Sequence, residues 1–194
     1  MHANEAEEYY RRINLFSKVN RLAVLFHNAN PKLKAMAAID LENDEIISFL
    51  KNLESANVKY LLVGGFAVSF HGLVRATHDL DLWINAEENN LQTFKNVLIQ
   101  HGAEGLMNTR SFDLIPGFTQ FSLGQSGFVV DPMKHLKAFN DYDFDKCYQR
   151  AADGEFKGVK FKVISRADLL REKETNNRPK DQADIEYLRS VENK

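Results

Sequence analysis

The sequence predicts an α/β fold: a small mixed, twisted sheet with helices against it. Three observations point there. Two short apolar runs bounded by turn residues, Tyr60–Val63 and about Thr77–Ile84, read as strands. Between and around them, apolar residues recur at the three- and four-residue spacing of helices. Far along the chain, residues 159–165 alternate apolar and polar and add another strand.

Taken in order, residues 4–28 read as a helix, with Tyr10, Ile13, Phe16, Val19 and Leu22 among its apolar positions, and Pro31 lies just past its end. Residues 42–56 form an amphipathic helix marked by Ile46, Phe49, Leu50 and Leu53. The strand Tyr60–Val63 follows, then Gly64-Gly65, a short helix from about Phe66 to His71 and a stop at Gly72. In the second strand Leu82 belongs to the core face and Trp83 to the opposite one. Residues 87–101 return to helical spacing and end at Gly102. Residues 118–133 read as a hairpin turning at Gly124–Gly127, and Pro132 should keep its second strand from continuing in a central position. A helix over 139–151 follows the hairpin, and the strand 159–165 comes next. Ser165 and Asp168 resemble a capping box opening a helix to about Glu174, and Pro179 opens the last helix, to about Val191.

A chain of 194 residues makes one domain, or one domain with an appended element. Its formal net charge of −2 argues against a surface wholly built to grip nucleic acid. The single cysteine, Cys147, cannot form an internal disulfide, which fits a reducing cytoplasm. No run is long enough to span a bilayer, and the N-terminus lacks the apolar core of a signal peptide. Met36 begins a stretch that could start a protein by itself. Residues 1–35 are therefore read either as a helical extension outside a catalytic unit at 36–194 or as an ordinary first helix packed on it.

The chemistry concentrates in residues 60–84. Strand alternation points Asp79 and Asp81 to one face. Two acids side by side repel unless a cation lies between them, and a hard divalent ion such as Mg²⁺ or Mn²⁺ takes carboxylate oxygens together with waters and phosphates. Surface acids on an edge strand are the plain alternative, disfavoured by the apolar residues around them. Gly64 and Gly65 allow close backbone approach and free N–H groups, which phosphates need, although a tight turn alone has the same sequence cause. Asp131, near the end of an apolar strand, is the candidate third metal carboxylate, or a turn residue before proline. Arg75 and Thr77, just before the acidic strand, either touch phosphate or pin the loop.

An apolar strand, Gly64-Gly65, thirteen residues and then Asp-x-Asp resembles the DNA polymerase β-type nucleotidyltransferase superfamily. The run Arg75-Ala-Thr-His-Asp-Leu-Asp-Leu82 brings it closest to the AbiEii-like, toxin-type bacterial branch. Residues 164–188 resemble that branch too: a serine-capped helix ends in Lys173, and Arg178-Pro-Lys-Asp181 opens the last helix. The resemblance covers roughly residues 45–190.

It implies the nucleotidyltransferase fold and a metal-dependent transfer of a nucleoside monophosphate from a nucleoside triphosphate, ATP among the candidates, to an acceptor hydroxyl. Asp79, Asp81 and Asp131 would be catalytic and hold the metal. Lys173 would lie near the triphosphate, or be a solvated charge at a helix end. The acceptor would be RNA or protein, with an antitoxin-like regulator as possible partner. Lincosamide and aminoglycoside nucleotidyltransferases share Gly-Gly, an arginine and Asp-x-Asp, so a small-molecule acceptor is the alternative. A nucleotide-binding protein without turnover is a third reading.

Overall fold

Tyr60–Leu62 (β1) is apolar and fully covered, so it lies in the middle of the sheet rather than at an edge. In the computed structural model, which describes residues 11–21, 42–109, 112–114 and 119–192, it pairs antiparallel with Asp79–Ile84 (β2) and parallel with Val159–Val163 (β6). Phe121–Leu123 (β3) and Phe128–Met133 (β4) form a hairpin, and β4 runs parallel to β2. Ala152–Phe156 (β5) closes the other edge against β6. Among the described residues the order is β3-β4-β2-β1-β6-β5, one mixed six-stranded sheet.

Helices cover both faces. They are residues 11–21 (α1), Asp44–Ser55 (α2), Gly64–Phe70 (α3), Glu88–Gln100 (α4), Phe144–Gln149 (α5), Arg166–Asn176 (α6) and Gln182–Glu192 (α7), the last two joined by a short 3-10 turn at Pro179–Asp181. α2 begins at Asn43, whose side chain accepts the Glu45 N–H. The Phe49 ring of α2 meets Phe128 of β4 at 5.7 Å. The Phe66 ring of α3 stands edge-on to Phe16 of α1 at 5.3 Å and to Phe161 of β6 at 5.8 Å. Glu45 accepts the N–H groups of Gln125 and Ser126, both at 2.8 Å, and so ties the β3–β4 turn to α2.

Leu80, Leu82 and Ile84 fill one face of β2 as alternation requires. Trp83, on the acids' face, is buried as well: Phe139 and Phe144 cover it at 5.4 and 5.2 Å, and its Nε1–H donates to the Lys134 carbonyl. The acidic face is thus sealed at one end and open at the other.

Two expectations need correction. Pro132 does not end β4, which is an interior strand running through Met133, with Leu82 opposite Pro132. Among the described residues β3 pairs only as far as Phe121 with Val130, so beyond that point the ladder they give β4 is the one to β2, and β3 does not call on the N–H that Pro132 lacks. The segment 139–151 is not one helix either: a 3-10 turn at Asp141–Asp143 leads into the short α5, and β5 begins at Ala152. The expected ends of the first helix, at 4–10 and 22–28, lie outside the described residues.

Candidate active site

The site starts at the turn from β1 into α3. Gly64 has φ +57, a conformation that disfavours any side chain, and a Cβ there would come within 1.8 Å of Asp81 Oδ2. The Gly65 N–H donates to the same oxygen at 3.3 Å, and a Cβ on Gly65 would meet Thr77 Oγ1 at 2.5 Å. Backbone and carboxylate are therefore in direct contact, which glycine alone permits.

Three carboxylates converge beside this turn. Asp79 and Asp81 share a face of β2, and the parallel register sets Asp81 directly opposite Asp131 of β4. Ligand oxygens of all three lie within 4.8 Å of one another, and all three side chains are partly exposed. Burial first, then the charges of Asp79 and Asp131, push the Asp81 carboxyl up to about 7. Burial also raises Asp131, against a Gln120 amide that donates to its Oδ2 at 3.2 Å. Thr77 donates its hydroxyl to Asp79 Oδ1 at 3.3 Å. A hard, all-oxygen donor set with repelling charges fits a divalent cation such as Mg²⁺ or Mn²⁺.

A second charged group faces the acids from α6 and α7. Ser165 caps α6, accepting the Asp168 N–H, and Lys173 sits in its last turn. Lys173 is buried, with Nζ 2.9 Å from Asp181 and 3.0 Å from Asp184. Asp181 also takes Arg178 Nε at 2.6 Å, and Asp184 takes Arg75 Nε and Nη2 at 2.9 and 3.0 Å. Against the cost of burial, Arg178 and Lys173 hold Asp181 down to about 2. The fields of Lys173 and Arg178 both reach Asp81.

The two groups share one cleft of about 350 Å³, whose walls include Gly64, Asp81, Asp131, Lys173 and Arg178, with Leu136 and Leu169 as apolar wall. Of the residues singled out in the sequence, the acids, the glycine turn and Lys173 therefore come together. Thr77 stands behind Asp79, and Arg75 is engaged by Asp184. Three contributors were not read from the sequence. Asp184 lies in the first turn of α7, where a helix start alone favours an acid. Gln120 was missed, although counting back from the turn at Gly124–Gly127 places it opposite Asp131. Asn20, on α1, accepts the Thr77 N–H at 3.0 Å, and no local signal marks it.

No protein-family description matches the chain, and no curated protein matches it at a significant level. Among solved structures, the chain is similar to an antigenic nucleotidyltransferase-like protein from Paracoccidioides brasiliensis, at 19% sequence identity and a TM-score of 0.52. The match covers 80% of this chain and 79% of the other. The fold, a mixed open sheet flanked by helices, is that of a nucleotidyltransferase-like protein.

Proposed function

We propose that the chain is a metal-dependent nucleotidyltransferase that moves a nucleoside monophosphate from a nucleoside triphosphate to an acceptor hydroxyl. The observation that carries this reading is the clustering of Asp79, Asp81 and Asp131 on neighbouring strands, with Asp81 and Asp131 lining one cleft together with Gly64 and the buried Lys173.

The acceptor oxygen bonds to the α-phosphorus, the bond from that phosphorus to the bridging oxygen breaks, and pyrophosphate leaves. The hydroxyl proton goes to water or a carboxylate. A divalent ion, Mg²⁺ or Mn²⁺, held by Asp79, Asp81 and Asp131 would supply positive charge to the phosphates. The Gly64-Gly65 backbone allows the phosphates close approach. Lys173 and Arg178 add positive charge on the facing wall, where charge on the leaving group can be offset. Thr77 orients Asp79, and Arg75 acts through Asp184 to join the pre-strand loop to α7. The toxin-type branch resembled by residues 75–82 and 164–188 favours RNA or a protein hydroxyl as acceptor, with an antitoxin-like regulator as partner.

Incubation with each radiolabelled triphosphate and Mg²⁺, with total RNA in one arm and cell lysate in the other, tests the reading. Label is expected to reach a macromolecule with the parent chain and not with Asp81→Asn. Equal labelling by both proteins, or none by the parent with any triphosphate, overturns it.

A further inference from the structure

Asn20 is fully buried, a polar residue on a helix whose other buried positions are Ile13, Phe16 and Ser17. Its amide is used at both ends. Nδ2–H donates to the Phe16 carbonyl one turn back at 2.9 Å, which fixes which way the amide faces. Oδ1 then accepts the Thr77 backbone N–H at 3.0 Å, across 57 residues of sequence. Thr77 is itself buried, and its hydroxyl donates to Asp79 Oδ1 at 3.3 Å. The same hydroxyl stands where a Gly65 side chain would be, so Thr77 wedges between the glycine turn and the first acid.

We infer that Asn20 is a positioning residue for the acidic site: it holds Thr77, and through Thr77 it fixes the direction in which Asp79 presents its carboxylate. α1 is then part of the working unit rather than a separable extension. The inference rests on the proposed metal-dependent reading, because a fixed Asp79 matters only if its oxygens serve a ligand. The chemistry favours the amide over a purely apolar residue. A buried Thr77 N–H without an acceptor is costly, and an apolar side chain at position 20 would force that loop to find another partner. Groups behind a metal ligand that set its orientation typically matter for affinity by about 10- to 100-fold.

The experiment compares Mn²⁺ affinity, by titration followed with electron paramagnetic resonance, for the parent chain, Asn20→Ala, Ile13→Ala, Thr77→Val and Thr77→Ser. All are measured at a temperature where each is folded. Ile13 lies two turns before Asn20 on the same side of the helix, so its truncation loosens α1 without touching Thr77. Asn20→Ala and Thr77→Val should each weaken Mn²⁺ binding by about tenfold. Ile13→Ala and Thr77→Ser, which keeps the hydroxyl, should stay close to the parent. Amide hydrogen exchange at Thr77 should accelerate in Asn20→Ala more than in Ile13→Ala. If Asn20→Ala loses stability as Ile13→Ala does but binds Mn²⁺ like the parent, Asn20 is only a core residue and the inference falls alone. If the parent itself fails to bind Mn²⁺, the proposed function falls and takes this inference with it.

Discussion

Asp81 stands directly across from Asp131 in the parallel pairing of β2 and β4, two like charges on facing positions of neighbouring strands. Such a pair works against the fold when both are ionised. With Asp79 the pair forms a cluster of oxygens close enough together to hold a cation.

This gives a pH prediction with a definite sign. The Asp81 carboxyl lies at about 7 in the folded chain, above its ordinary value of 3.8. Its protonated form favours folding, so that contribution is complete below about 4 and is lost as the pH rises through about 7. With metal chelated, melting temperature should fall between about pH 5.5 and pH 8, and Mg²⁺ should restore it. Asp81→Asn should abolish transfer yet be more stable than the parent at pH 8 without metal, by on the order of 1–3 kcal/mol, and so melt at a higher temperature. Scanning fluorimetry of both proteins at the two pH values checks this; a parent curve as flat as that of the variant argues against a metal-poised pair.

Gly64 should tolerate nothing larger. Gly64→Ala combines φ +57 with a Cβ driven into Asp81, so it should lower stability by about 1–2 kcal/mol from the backbone alone and displace the carboxylate besides. Gly105→Ala is the control, since no atom lies within 4 Å of its Cβ position. Calorimetric titration with a non-hydrolysable triphosphate and Mg²⁺ should show binding lost in Gly64→Ala and kept in Gly105→Ala.

Lys173 is buried between two carboxylates and also lines the cleft beside Asp81. Removing it leaves two buried carboxylates, Asp181 and Asp184, short of a cation, a change that typically costs about 3–5 kcal/mol. Lys173→Ala should therefore show a clear fall in denaturation midpoint. Where it is still folded, its transfer rate should drop at least about tenfold, or 1.4 kcal/mol of barrier. Full rate with reduced stability would make the lysine a strut and remove it from the reaction.

On the opposite face of β2, Leu82→Ala should cost about 2–5 kcal/mol, since Leu82 has no exposed surface. Urea denaturation measures it. A cost below about 1 kcal/mol would mean that the strand's two faces are assigned backwards, and with them the acids.

Much of this was legible in the sequence. Strand alternation alone put Asp79 and Asp81 on one face, and the glycine pair announced the turn they contact. The hairpin turn at Gly124–Gly127 was equally plain, and with it the approach of Asp131. What escaped depended on partners distant in sequence. β5 carries no plain strand signal, because Gly154 sits in its middle; in the fold that glycine makes room for the Phe161 ring, which would lie 2.3 Å from a Cβ there. Pro132 misled because the length of the neighbouring strand, not the proline, decides whether its missing N–H is needed. The Asn20–Thr77 bond and the pairing of Arg75 with Asp184 join residues that no local pattern connects.

Arg75 and Asp184 lie 109 residues apart, and β1 takes one of its two sheet neighbours from β6, late in the chain. During synthesis from the N-terminus, the acids and the glycine turn emerge long before the helices that bring Asp181 and Asp184. Until β6 arrives β1 has an open edge, and until Asp181 and Asp184 follow, Arg75 and Lys173 lack the carboxylates that pair with them. The nascent chain therefore carries the three carboxylates without the wall that faces them, and the ion-pair network behind that wall is completed only when α7 docks. Assembly from such distant segments is slow compared with local folding. Removing α7 from the finished protein would take Asp184 away from both Arg75 and Lys173.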